Sequence, residues 1–202
     1  HDQSSAASDV YKRQTYNDDG TINTINDSAI FTIEFEDNSW TNWSGYNIST
    51  GDLDNDGLTE IYTVAFDFYH VIVFENTLAN EYEYQTDFYV SSEAFEYGNQ
   101  SIIITDINRD GSNELFAATS GTKDGETLLA PGKLYAAGDI NDVSLLTFSD
   151  FNYFASYQGG LRQIATGDAD NDGNSNLYLA GHYDESLYDW EFVGQDPVNV
   201  LH

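Results

Sequence analysis

The sequence predicts an all-β chain assembled from repeated four-stranded antiparallel units, and three observations carry that expectation. No stretch of helical length places apolar residues at three- and four-residue spacing. Short runs rich in β-branched and aromatic residues recur instead, separated by glycine and polar punctuation. One acidic nine-residue pattern appears three times, each time followed by an apolar run. With 40% apolar residues, including 15 Tyr and 12 Phe, the chain has the material for a buried core and is too apolar for an acidic disordered tail.

The strand-like runs are Ala29–Phe35, Glu60–Phe66, Val71–Phe74, Tyr82–Val90, Ser101–Ile107, Glu114–Thr119, Lys133–Ala137, Val143–Phe148, Gln163–Gly167 and Asn176–Ala180. They fall into a repeating order of strand, acidic turn, strand, loop, strand, turn, strand. The first full unit reads Tyr46–Gly51, Glu60–Phe66, Val71–Glu75 and Tyr82–Val90. The second reads Ser101–Thr105, Glu114–Thr119, Lys133–Ala137 and Val143–Phe148, and its longer loop Ser120–Gly132 absorbs the longer interval to the third acidic turn. A four-stranded unit repeating at roughly 40 to 60 residues is the pattern of a β-propeller blade. The expected architecture is therefore an incomplete β-propeller of about three blades. Residues 15–45 form the end of a preceding blade, 46–98 and 99–158 two blades, and 159–202 an incomplete one.

Charge narrows the partners. The chain carries 35 acidic and 6 basic residues, a net charge of −29, so nucleic acid and anionic membrane surfaces would repel it. It has no cysteine, hence neither a disulfide framework nor a thiolate metal site. No apolar run reaches the length of a membrane span, so direct membrane insertion is not expected. Residues 4–14, from Ser4 to Gln14, resemble the translation of a transposase adapter used to prepare sequencing libraries. Residues 1–14 are therefore expected to be a non-native tail, with any signal peptide and the missing blades lying outside the fragment.

The acidic pattern is the chemical centre of the sequence. Its copies are Asp52-Leu-Asp54-Asn-Asp56-Gly57-Leu58-Thr-Glu60, Asp106-Ile-Asn108-Arg-Asp110-Gly111-Ser112-Asn-Glu114 and Asp168-Ala-Asp170-Asn-Asp172-Gly173-Asn174-Ser-Asn176. Asp or Asn at positions one, three and five of a tight turn can aim oxygens at one centre, and glycine at six permits the sharp bend. A hard cation such as Ca²⁺ takes about six to eight oxygens, whereas Mg²⁺ demands rigid octahedral geometry and sheds water reluctantly. Position twelve of a helix–loop–helix calcium hand should be acidic, but Thr63, Ala117 and Leu179 stand there, between strand-like flanks.

Together with the apolar runs that follow them, these stretches resemble FG-GAP or VCBS-type repeats, the units of the Ca²⁺-binding propellers of integrin α-subunits and of many secreted or surface-attached bacterial proteins. The resemblance covers most of residues 30–190 and departs at Asn176, where a carboxylate is expected. In a loop of this kind the side chains at one, three, five and nine and the carbonyl at seven supply oxygens. The expected ligands are Asp52, Asp54, Asp56, Leu58 and Glu60; Asp106, Asn108, Asp110, Ser112 and Glu114; and Asp168, Asp170, Asp172, Asn174 and Asn176. The first set carries the most negative charge and should be tightest, while the third, with an amide at nine, is weakest by ligand type.

Other features are less directive. Asn17-Asp-Asp-Gly20 reads as a hairpin turn, for which Asp-Gly is suited. His1, His70, His182 and His202 show no ligand or triad pairing, and His70 and His182 read as loop residues. By the resemblance, the loops between strands two and three and between blades share the face opposite the calcium turns, where ligands bind in the family. Trp40, Trp43, Tyr69, His70, Lys123, Tyr157, His182 and Tyr183 are the candidates for that face. Their rings could stack on sugars, anchor a protein, or simply fill the gaps between blades. No convergent catalytic set is visible. The resemblance implies an extracellular, cell-surface or periplasmic calcium-binding module for adhesion or binding of a protein or carbohydrate. The alternatives are the propeller of a secreted polysaccharide-degrading or lipase-type enzyme, and a structural spacer in a large surface protein.

Overall fold

The computed structural model describes residues 45–65, 70–78, 81–90, 99–158, 160–181 and 187–192. Among these the chain is all-β, in four antiparallel sheets, with no α-helix and no closed ring or barrel. The expected tail 1–14, the hairpin turn 17–20, the strand 29–35 and nearly all of the preceding-blade span 15–45 lie outside the described residues.

The first sheet is a meander of β1 (Gly45–Gly51), β2 (Glu60–Ala65), β3 (His70–Leu78) and β4 (Glu81–Tyr89), in that order. The second runs β5 (Asn99–Thr105), β6 (Glu114–Thr119), β9 (Gly132–Ala137) and β10 (Asn152–Tyr157). Between β6 and β9 a separate hairpin is made by β7 (Thr122–Asp124) and β8 (Thr127–Ala130). The third sheet has β11 (Leu161–Gly167), β12 (Ser175–Gly181) and β13 (Leu187–Phe192). The first hairpin of each of the three larger sheets closes on the same register, Gly51 opposite Glu60, Thr105 opposite Glu114 and Gly167 opposite Asn176. Each first strand also carries a register shift at the matching place, between Gly45 and Asn47, Asn99 and Ser101, and Leu161 and Gln163. Sequence repetition has become backbone repetition down to single residues.

The three larger sheets stack face to face, with the second in the middle. Strands have a two-residue side-chain period, so a sheet covered on both faces loses its polar alternation. All residues of β6 and β9 are accordingly buried. Leu115, Ala117, Tyr135 and Ala137 pack towards Tyr62, Val64, Val71 and Val73 of the first sheet. Phe116, Ala118, Leu134 and Ala136 pack the other way, towards Leu177, Leu179 and Phe192 of the third. Each large apolar side chain so buried contributes about 1.5–3 kcal/mol.

The first strands lie side by side, β1 against β5 and β5 against β11. Polar side chains tie them together. Asn47 Oδ1 accepts the Ile102 N–H at 3.1 Å, and Ser101 Oγ accepts the Ile164 N–H at 3.2 Å, the same contact one sheet further on. Ser49 Oγ adds a bond from the Ile104 N–H at 3.1 Å. A Cβ on Gly51 would fall 2.2 Å from Ile104 Cγ2, so glycine there permits the close approach of neighbouring first strands.

Three expectations are corrected. Val143–Phe148 is not a strand: Val143–Leu145 and Phe148–Asp150 are two 3-10 turns, and the edge strand is β10. Val143 and Leu146 are buried while Leu145 is 71% exposed, a three-residue apolar period rather than alternation. Polar caps enforce the turns, since Asp142 accepts from the Ser144 N–H at 2.9 Å and Asp150 accepts from the Thr147 N–H at 2.8 Å. The segment Ser120–Gly132 is not a plain loop but contains the β7–β8 hairpin, and His70 opens β3 rather than lying in a loop.

The packing predicts that Phe116→Ala, which removes a wholly buried ring from between the second and third sheets, lowers stability by about 3–5 kcal/mol. Leu145→Ala should stay within about 0.5 kcal/mol of wild type, because that side chain reaches solvent. Denaturant midpoints measure both, and a large loss from Leu145→Ala would contradict the 3-10 assignment.

Candidate metal centres

The three acidic turns connect the first two strands of each large sheet and have one shared backbone design. The chain curls around the position-one aspartate, whose two oxygens each accept a backbone N–H. Asp52, Asp106 and Asp168 take the position-five N–H at 3.1, 3.0 and 3.1 Å. They take the position-six glycine N–H at 3.0, 3.0 and 2.9 Å. The position-five aspartate then accepts the position-seven N–H, from Leu58, Ser112 and Asn174, at 2.7, 2.8 and 2.8 Å. Closing so tight a turn requires left-handed backbone twice. Asn55, Arg109 and Asn171 have φ of 58, 61 and 61°, and Gly57, Gly111 and Gly173 have φ of 92, 97 and 96°. An L side chain resists such φ values, and Asn tolerates them best after Gly.

The first turn gathers the most charge. One oxygen from each of Asp52, Asp54, Asp56 and Glu60 lies within 4.8 Å of all the others. Glu60 is fully buried, and its Oε2 accepts from the Leu53 N–H at 2.7 Å and from the Tyr62 hydroxyl at 3.0 Å. Its other oxygen, Oε1, is buried without a hydrogen-bond partner, as is Asp54 Oδ1. Burial pushes the Glu60 carboxyl up to about 7 against those two hydrogen bonds, and Asp54 and Asp52 add repulsion. Burial beside Glu60 likewise holds the Tyr62 hydroxyl in its protonated, donating form. Asp54 Oδ2 accepts the Val143 N–H at 3.1 Å, joining the turn to the 3-10 segment of the second sheet.

Orphaned carboxylate oxygens in a buried site are costly unless paired or bound to a cation. Two of them stand in this turn, on the residues expected to ligate. The donor set is all oxygen and mostly carboxylate, which fits a hard divalent ion.

The other turns differ. Asn108 at position three of the second donates from Nδ2 to Asp110 Oδ2 at 2.9 Å and accepts the Asp110 N–H at 3.0 Å. Glu114 is buried and accepts the Ile107 N–H at 3.0 Å, as Glu60 does from Leu53, but Asp106, Asp110 and Glu114 do not converge as the first turn's acids do. In the third turn Asp168, Asp170 and Asp172 converge. Asn176, where a carboxylate is missing, donates instead to Asp189 of β13 at 2.9 Å, and its Oδ1 is buried without a partner. The N–H groups of Asn174, with Glu191 and the Arg109 guanidinium beside it, hold the Asp172 carboxyl below the usual range. Arg109, at position four of the second turn, donates to the Gly173 carbonyl, so these two turns are joined directly. Asn113 joins the second to the first through the Asp52 carbonyl at 2.8 Å.

The expected ligand face is only partly described. Trp40, Trp43, Tyr69, His182 and Tyr183 lie outside the described residues. Lys123 is half-buried on β7, at the end of the second sheet away from its acidic turn. Tyr157 is a correction: it is buried in the core between the second and third sheets, its ring 4.4 Å from that of Tyr188. Sequence reasoning also passed over an open groove of about 520 Å³ between Lys133, Tyr135, Phe148, Phe151 and Tyr153. Only the aromatic content of these segments signalled it.

Replacing Glu60 by Gln gives a prediction whose sign changes with calcium. In chelator at pH 8 the variant should be at least as stable as wild type, because a neutral amide removes an uncompensated buried charge. In calcium at about 100 times the dissociation constant, wild type should gain about 2.7 kcal/mol that the variant lacks. Thermal melts in both buffers read the crossing, and a variant equally destabilised in each would show Glu60 to be merely structural. Compared with known families and with curated proteins, the chain matches no family model and no curated sequence.

Proposed function

We propose that this chain is part of a calcium-binding β-propeller of the FG-GAP/VCBS type, acting outside the cell as a non-catalytic module for binding or adhesion. The carrying observation is the first turn, where two buried carboxylate oxygens lack any hydrogen-bond partner beside the converging oxygens of Asp52 and Asp56. Asp52, Asp54, Asp56 and Glu60, with the Leu58 carbonyl, would hold the ion, and the third turn would use Asp168, Asp170, Asp172, Asn174 and Asn176. The second would use Asp106, Asn108, Asp110, Ser112 and Glu114. Bound Ca²⁺ supplies positive charge that neutralises the turn and cross-links its two strands. The protein's part is to orient the oxygens: the position-one aspartate folds the backbone, and the β-hairpin register holds position nine beneath it.

Two four-stranded sheets and a three-stranded one, stacked with their first strands side by side, support the propeller reading. Extracellular calcium modules work at dissociation constants of about 10⁻⁴ to 10⁻³ M, a range suited to solvent-facing turns. The open groove lined by Tyr135, Phe148, Phe151 and Tyr153 supports a binding role, because flat rings suit a sugar or a protein anchor. No helix among the described residues is long and apolar enough to cross a membrane.

Calorimetric titration tests the reading. Calcium should bind and raise the melting temperature, chelator should reverse the shift, and magnesium at equal concentration should give much less of it. A melting temperature indifferent to calcium up to 10 mM, roughly ten times the weakest constant expected of such modules, would remove the basis for the proposal.

A further inference from the structure

The contact between neighbouring sheets is made twice in this chain, and it follows the repeat. Residues 47–51 of β1, 101–105 of β5 and 163–167 of β11 are equivalent, because each set ends opposite the ninth residue of its acidic turn. Alternate residues of the first strand reach the next sheet. Asn47 Oδ1 accepts the Ile102 N–H, Ser49 Oγ accepts the Ile104 N–H, and Gly51 leaves room for the Ile104 side chain. Ser101, equivalent to Asn47, repeats the first of these bonds on Ile164. Tyr62 and Val64 of β2 fill the space beside them, as Phe116 and Ala118 of β6 do one sheet further on, and all four are fully buried.

The two ends of the stack are the unmatched halves of that contact. On β1 the residues that would meet a preceding sheet stand in solvent. Ile48 is 68% exposed and Thr50 is exposed, whereas their equivalents Ile102 and Ile104 are buried. On β11 the opposite alternation is bare: Gln163, Ala165 and Gly167, equivalent to Asn47, Ser49 and Gly51, are all exposed. Tyr178 and Ala180 of β12 are only partly buried, at the positions that Tyr62 and Val64 fill in the first sheet. In the middle sheet none of residues 101–105 is exposed. Gly167 is the sharpest sign. Its φ is not positive, and among the described residues a Cβ there would meet nothing within 4 Å, so its own sheet does not call for glycine. A glycine inside a strand often marks close approach by another backbone, as Gly51 does for Ile104.

We propose that the outer face of the third sheet docks the β1 face of a second copy of this chain, in the geometry that the chain already uses between its own sheets. Ile48 of one copy takes the place that Ile102 takes on the first sheet, its N–H on the Gln163 side chain, and Thr50 closes over Gly167. The occupant is a second copy because this chain carries both halves of the contact, one at each end of the stack. The docking continues an interface made twice within the chain. Its two faces differ, so each pairing leaves one of each free, and association runs on to a ring or an open chain. Like charge opposes it, at −29 on each copy, so association should strengthen with salt. The inference stands on the stacking of the sheets and is independent of the calcium reading.

Sedimentation equilibrium of the full chain tests it, in about 1 M NaCl, where the Debye length is about 3 Å. Wild type is compared with Gly167→Val, Ile48→Lys and Leu145→Lys. Leu145 is 71% exposed on a 3-10 turn away from both faces, and controls for the loss of an exposed apolar group. Ile48 and Gly167 also face solvent, so both variants should melt with wild type. The wild-type mass should climb with concentration to at least twice 22.6 kDa, and Leu145→Lys should follow it. Gly167→Val and Ile48→Lys should each stay at 22.6 kDa. Mixed in equal amounts, those two should pair once and stop at twice that mass, because one brings an intact β1 face and the other an intact third sheet. A wild type that stays at 22.6 kDa up to about 1 mM overturns the inference and leaves the calcium reading untouched. Association that survives in either blocked variant, that Leu145→Lys also abolishes, or that the mixture fails to restore overturns it equally.

Discussion

Everything in this structure is organised around like charges held closer than they would choose to be. Four carboxylates within 4.8 Å in the first turn repel one another, and unit charges 4 Å apart interact by about 4 kcal/mol at an effective dielectric of about 20. Backbone N–H groups offset part of this, because the position-one aspartate accepts two of them in every turn. They cannot reach Glu60 Oε1 or Asp54 Oδ1, which stay buried and unpartnered. A proton or a cation would neutralise them, and the all-oxygen cluster is one that could hold a hard metal ion.

The same turns act as rivets between sheets. Asn113 bonds the first turn to the second, Arg109 the second to the third, and Val143 closes over Asp54 from the second sheet. Below them the first strands are stitched by Asn47, Ser49 and Ser101. Hydrophobic stacking supplies most of the stability, but it is non-directional and would tolerate sliding of one sheet over the next. The polar stitches set the register of the stack, so that the acidic turns lie along one edge. The acids that could hold a cation and the contacts that join the sheets therefore share residues, Asp52 and Asp54, rather than being merely adjacent.

Much of this was legible in the chain. Aspartate or asparagine at alternate positions ending in glycine encodes the turn, because only that pattern combines inward oxygens with backbone in the left-handed region. The long strands were readable from β-branched and aromatic runs. The segment 143–148 misled because its apolar residues suggest a strand until the capping by Asp142 and Asp150 is seen. The β7–β8 hairpin was short, although Asp124-Gly125, with Gly125 at φ 56°, is a turn signal of the kind recognised elsewhere in the chain. Tyr157 could not be separated from a surface aromatic without knowing which face of β10 it occupies.

Diffraction from crystals grown in calcium, collected for the anomalous signal, tests the central claim most directly. The account predicts a peak between Asp52, Asp54, Asp56 and Glu60, with oxygens at about 2.3–2.6 Å, and with Glu60 Oε1 and Asp54 Oδ1 turned onto it. Density for nothing heavier than water at that point, with Glu60 satisfied by hydrogen bonds alone, would contradict it.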